Sequence, residues 1–134
     1  YELDHICYRV ATMERYEMLK AELAQIAILL KETLIGGRPI ATYQLNQAIQ
    51  YKNRQISCIE LPAPKQGSNY PEAYEHVEFV IKEDFESFMA KYPAIKFDTK
   101  GISKAVNADL RIKYKDFSVK FHHNSLEDVI KYLD

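Results

Sequence analysis

Two stretches of this chain, 71 residues apart, are versions of one segment. Asp4-His5-Ile6-Cys7-Tyr8-Arg9-Val10 and Glu75-His76-Val77-Glu78-Phe79-Val80-Ile81 share the order acid, histidine, β-branched, any, aromatic, any, β-branched. Such self-similarity across half of a 134-residue chain predicts duplicated strand-helix-strands units. In the first copy, strand alternation puts Ile6, Tyr8 and Val10 on one face, the better core face, and His5, Cys7 and Arg9 on the other.

The segments after the two copies are also alike. From Met13 the apolar positions Tyr16, Leu19, Leu23, Ile26 and Leu30 step by three and four, predicting a helix of several turns capped by Thr12. Phe85, Phe88, Met89 and Tyr92 repeat that period in the second half. After the turn Gly36-Gly37-Arg38-Pro39 come strand patterns at Ile40 to Leu45 and Gln55 to Leu61; after Lys100-Gly101 come Asp109 to Tyr114 and Phe117 to His122. Pro62 to Pro71, with three prolines, reads as the loop between the halves. The expected organisation is one domain, 1–134, with module one at about 1–62 and module two at about 72–134. Ser125 with Asp128 makes a capping pattern before Leu126, Val129, Ile130 and Leu133, so a short amphipathic helix closes the chain.

Composition narrows the class. With 47% apolar and 28% charged residues the chain can bury a core, and collagen-like, low-complexity and disordered classes are excluded. Eighteen Lys plus Arg against nineteen Asp plus Glu, without a block of like charge, argue against a nucleic-acid partner. The aromatic residues with clear periodicity, such as Tyr16 and Phe88, are core positions rather than base-stacking ones. No apolar run approaches the roughly 18 residues of a membrane span, and Tyr1-Glu2-Leu3-Asp4 is no signal peptide. Two cysteines without Cys-x-x-Cys spacing point to a reducing compartment, so the expected location is cytoplasmic. The start inside a strand pattern, without an initiator Met, leads us to expect that an N-terminal piece is absent.

His5 and His76 occupy the same slot of the repeat, on strand faces turned away from the helices. By strand parity Glu60 and His122, on the last strand of each half, face the same way. Imidazole and carboxylate donors drawn one per strand suit zinc, nickel, manganese or iron(II). On pattern alone, polar residues on a solvated strand face are the commoner explanation. Arg9, Glu78 and Lys120 share the parity: Arg9 is suited to a substrate carboxylate or phosphate, Glu78 to orienting a ligand or acting as a base, and Lys120 to polarising a carbonyl. The alternative for each is an ordinary surface salt bridge. Gly36-Gly37 lacks the downstream residues of a phosphate loop, and Arg38 reads as part of the turn. His123 has the opposite parity and is expected beside the closing helix.

The ordered segments Asp4-His5-Ile6, Gly37-Arg38-Pro39-Ile40, Ile59-Glu60-Leu61-Pro62, Tyr70-Pro71, Glu75-His76-Val77-Glu78, Gly101-Ile102-Ser103 and Lys120-Phe121-His122 resemble those of YecM-like bacterial proteins, within the vicinal oxygen chelate superfamily of lactoylglutathione lyase, methylmalonyl-CoA epimerase and extradiol dioxygenases. The resemblance runs nearly end to end. It implies an α+β fold of two β-α-β-β-β modules with mixed sheets curled around a central cup, glyoxalase-like, plus the short C-terminal helix. It also implies a divalent metal held by His5, Glu60 and His76; where many members carry Glu on the closing strand, this chain offers His122. The implied function is a metal-dependent enzyme of isomerase, lyase or oxidoreductase type acting on a small oxygen-chelating substrate. The alternative is a non-catalytic binding or sequestering module of the same fold. With both modules in one chain, monomer and homodimer are equally expected. In that fold the first and fourth strands run parallel with His5 abreast of Glu60, which separates Cys7 from Cys58 and predicts no disulfide.

Overall fold

A computed structural model of the chain describes residues 2–67 and 70–131, so Leu133 of the closing segment lies outside the described residues. The elements run β1 (Glu2–Arg9), α1 (Met13–Leu23), β2 (Ala27–Ile35), β3 (Arg38–Tyr51), β4 (Arg54–Pro62), β5 (Ala73–Val80), α2 (Phe85–Ala90), β6 (Asp109–Lys113), β7 (Ser118–His122) and α3 (Leu126–Ile130). The strands form one mixed sheet in the order β2-β3-β4-β1-β5-β7-β6. In each half the first strand lies parallel to the last, β1 to β4 and β5 to β7, because a helical crossover separates them. The repeated segments β1 and β5 pair antiparallel at the centre and join the halves edge to edge, a continuous α+β sheet.

Thr12 caps α1 as expected, its side chain accepting from the Arg15 amide at 3.1 Å. The helix stops at Leu23, however, and Ile26 and Leu30 are not on it; the chain turns into β2, where Ala27 pairs with Leu45. The run Ile26-Ala27-Ile28-Leu29-Leu30 is apolar at every position and fits either period. The ladder with β3 decides it by satisfying backbone groups along its length. β3 likewise continues past Leu45 to Tyr51 as a largely exposed ribbon with β4. In the second half the outermost strand is reduced to one bridge, Asp98 with Arg111, since the stretch 98–107 offers no sustained two-residue apolar alternation.

The core lies on the helix side of the sheet. Ile6, Val10, Tyr16, Tyr43, Ile59 and Leu61 pack beneath α1, with Tyr8 against their edge, and Ile81, Phe88, Leu110 and Phe121 pack beneath α2. The opposite face is covered in part by α3, whose Leu126, Val129 and Ile130 are buried. Ser125 caps it by accepting from the Asp128 amide at 3.1 Å. Two further bonds seat it: the Leu126 amide donates to Asp4 at 2.8 Å, and Lys31 Nζ donates to the Ile130 carbonyl at 2.9 Å. Among the described residues no helix is long and apolar enough to cross a membrane.

Candidate metal centre

The face opposite the helices carries the polar side chains that the repeat places there. His5, Cys7, His76, Glu78 and His122 are all buried, and Glu60 is partly so. His5 pairs across the central ladder with Glu78, and Cys7 with both His76 and Glu60, which stacks the repeat's two histidines beside the first module's last strand.

The Glu78 carboxylate sits at the middle of the group. Its Oε2 is 2.7 Å from His122 Nε2 and 3.4 Å from His5 Nε2, and its Oε1 is 3.1 Å from His76 Nε2. Lys120 Nζ stands 3.8 Å from Glu78 Oε1, and Glu60 Oε1 stands 3.8 Å from His76 Nε2. Each first-strand histidine turns its other nitrogen to the acid before it: His5 Nδ1 lies 2.7 Å from Asp4 Oδ2, and His76 Nδ1 lies 3.3 Å from Glu75 Oε1. A carboxylate only accepts, so in both pairs Nδ1 carries the proton and Nε2 is the nitrogen left for the centre.

The electrostatics arise from this packing. Burial by itself would lower the His5 pKa, but the hydrogen bond to Asp4 and the Glu78 carboxylate close by outweigh it and carry it up to about 10. His76 is raised in the same way: burial opposes, the Glu75 and Glu78 carboxylates prevail, and Lys120 takes back part of the effect. Glu78 would be pushed up by burial, yet the His122, His5 and His76 rings around it hold it well below the usual carboxylate range. The His76 bond brings Glu75 down to about 2 against the opposing effect of burial.

A divalent ion fits these donors. The Nε2 atoms of His5, His76 and His122 are buried and make no directed hydrogen bond within the described residues, short distances to Glu78 notwithstanding. Orphaned imidazole nitrogens converging from three strands are what a metal would satisfy. Donor atoms of His5, Glu60 and His76 all lie within 4.8 Å of one another, and so do those of Asp4, His5 and His122.

The structure thus brings together His5, Glu60, His76, His122, Glu78 and Lys120. It does not bring Arg9. The β1–β5 ladder shifts register between Cys7 and Tyr8 by skipping Glu75, so the extra residue is on β5 and β1 keeps its alternation; Arg9 misses the group because it stands at the far end of β1, four residues beyond His5. Arg9 instead donates through Nε to the Pro71 carbonyl at 2.9 Å and lies over the Tyr70 ring. The strand register differs from expectation too, with Cys7 rather than His5 abreast of Glu60. Both thiols are free, and burial pushes each pKa up, that of Cys58 to about 12; Cys7 Sγ also lies within 4.8 Å of donor atoms of Glu75 and His76. His123 lies against α2 and not the closing helix, stacking on Phe85 at 4.4 Å with Nδ1 3.0 Å from the Ile81 carbonyl. Sequence reasoning passed over Asp4 and Glu75 as histidine partners, although the signal was present as the acid preceding each histidine in the repeat.

A cavity of about 420 Å³ opens over the group, walled by Glu60, His76, Glu78 and Lys120 on one side and by Leu126 and Val129 of α3 on the other.

A duplicated strand-helix-strands sheet that gathers histidines and carboxylates on one face has the glyoxalase-like α+β fold. Methylmalonyl-CoA epimerase of Streptomyces coelicolor, in a complex with 2-nitronate-propionyl-CoA, shares the fold with a TM-score of 0.61 at 13% identity, over 93% of this chain and 97% of that one. A chain solved by structural genomics is nearer, with a TM-score of 0.79 and 28% identity over 97% of this chain and 75% of its own. The YecM protein family model matches residues 1–132, and Protein YecM of Escherichia coli strain K12 is 32% identical over 146 residues, 95% of this chain and 76% of that protein. The chain belongs to the YecM family.

Proposed function

We propose that this chain holds one divalent ion, zinc, nickel, manganese or iron, through His5, His76, Glu60 and His122, and that it is an enzyme of isomerase or lyase type acting on a small molecule. The observation that carries the proposal is the set of buried, unsatisfied Nε2 atoms of His5, His76 and His122 around one carboxylate. When bound, a divalent ion supplies Lewis-acid charge that stabilises negative charge developing on a substrate oxygen. Asp4 and Glu75 hold the His5 and His76 rings by their Nδ1 protons, which keeps Nε2 directed at the centre. Glu78 remains an anion at neutral pH and places its negative charge among the three rings, where it offsets the charge of a bound ion. Lys120 reaches the cavity beside it and donates to a substrate oxygen. Three imidazoles and a carboxylate leave few open positions, which favours proton-transfer chemistry over dioxygen chemistry.

The test is elemental analysis of untagged protein purified without chelator, repeated for His5→Ala and His76→Ala. About one equivalent of ion in the parent and little in either variant is the expected result. A parent that takes up no ion after dialysis against zinc, nickel, manganese and iron(II) overturns the proposal and leaves a binding module of the same fold.

A further inference from the structure

The cations around the cavity are not equivalent. Arg38 spends a guanidinium donor on the Ala63 carbonyl at 3.0 Å, and Lys104 is paired with Asp109 at 2.7 Å. Lys120 differs. Its side chain is only 18% exposed, and its one ion-pair partner among the described residues is Glu78 at 3.8 Å, beyond hydrogen-bond reach. Lys120 lines the cavity, and its ammonium has donors to spare for an oxygen bound there.

The charge around the cavity says which acceptor. With His76 neutral, as a ligand nitrogen must be, the carboxylates of Glu60, Glu75, Glu78 and Asp109 face Arg38, Lys104 and Lys120 and leave one negative charge in excess among the lining side chains. A divalent ion reverses this to one positive charge, so a monoanion brings the enclosed site to neutrality while a neutral ligand leaves it charged and a dianion overshoots. The far wall, built by Leu126, Val129 and Ile130 of α3 with Ile35 and Ile40, is mainly aliphatic and offers contact to hydrocarbon, with the buried, unpartnered hydroxyl of Thr33 opposite Ile40. A volume of about 420 Å³ is near the small end for ligand cavities.

From this we infer that the ligand of this cavity is a small monocarboxylic acid, its carboxylate read by Lys120 and its short aliphatic arm lying against α3. The inference rests on the metal centre proposed above, since the charge balance needs the ion. It moves the anion-reading role that sequence parity gave Arg9 to a residue that the structure places at the cavity.

The experiment is calorimetric titration of the zinc-loaded protein with 3-methylbutanoate, 3-methylbutanamide, acetate and isobutyl phosphate, with metal content measured on the same samples. In the parent, 3-methylbutanoate should bind at least tenfold more tightly than the amide, than acetate and than the phosphate ester. Lys120→Met should weaken the acid at least tenfold and the amide less than twofold, with zinc content unchanged, and Lys120→Arg should restore most of the acid's affinity. Equal affinity for acid and amide, tighter binding of the phosphate ester, or equal loss of acid and amide in Lys120→Met would each overturn the carboxylate assignment while the metal reading stands. Equal binding of acetate and 3-methylbutanoate would overturn the aliphatic wall. A parent that takes up no zinc removes the metal reading itself, and the charge balance with it.

Discussion

Loading an ion onto His5 means removing a proton first. A ligand nitrogen must be unprotonated, and in the metal-free protein the His5 pKa lies at about 10, with Asp4 and Glu78 prevailing over burial. At pH 7 that is three pH units below the midpoint, so deprotonation costs about 4 kcal/mol, roughly a thousandfold in apparent affinity. The apparent association constant should therefore rise about tenfold per pH unit through the neutral range, and more steeply where His76, whose pKa is also raised, must lose a proton as well. Competition against a chromophoric chelator between pH 6.5 and 8.5, corrected for the chelator's own titration, should show a gain of at least about a hundredfold. Calorimetry in buffers of different ionisation enthalpy should count one or more protons released per ion. Asp4→Asn removes the carboxylate that raises His5 but keeps an acceptor for the Leu126 amide, so the profile should flatten at a lower pH. The same shift has a sign for stability: a raised folded pKa stabilises the metal-free fold below about pH 6.5 and loses that contribution as pH rises through about 10. An affinity that does not change across the neutral range, with no proton released, would refute the reasoning.

Packing and charge give three further expected outcomes. At Gly101 an added Cβ would lie 2.5 Å from Asp109 Oδ1 and 2.9 Å from the Asp109 carbonyl oxygen, so Gly101→Ala should cost about 1–3 kcal/mol in urea unfolding; an unchanged midpoint would contradict the close approach. Tyr16, fully buried, donates to Glu32 at 2.6 Å, and Lys20 keeps that carboxylate paired, so Tyr16→Phe should lose about 1.5 kcal/mol, and a loss near zero would count against the buried bond. Glu75, with a folded pKa of about 2 from its bond to His76, stabilises the metal-free protein above its unfolded pKa and ceases to do so as pH falls through about 2. Urea midpoints between pH 5 and pH 2 should accordingly fall less in Glu75→Gln than in the parent; equal declines would refute that assignment.

How far the sequence could be read depended on whether a position carried a period or a partner. His5, Glu60, His76 and His122 were legible because strand parity is a local property and the repeat supplied two independent copies of it. Arg9 was not, because parity fixes a face but not a position along the strand, and at the end of β1 its guanidinium is taken up by the Pro71 and Asp116 carbonyls. β2 was hidden inside an apolar run compatible with helix and strand alike, and the far half of β3 was hidden because exposed ribbon residues such as Gln50 and Tyr51 show no alternation between core and solvent. The position of Glu78 among three imidazoles depends on which strands become neighbours, and adjacency of β5 to both β1 and β7 is a tertiary fact.

Asp4 accepts from an amide 122 residues further along the chain while it also holds His5. The histidine and carboxylate group therefore draws on distant parts of the sequence: β1 is synthesised well before His122 and the seat of α3. A nascent chain that has completed only its first half has His5 and Glu60 but neither His76 nor His122, and has no means of assembling the group. Contacts of such sequence separation form late and slowly. The proposed ion site is thus completed only once β7 and α3 are in place.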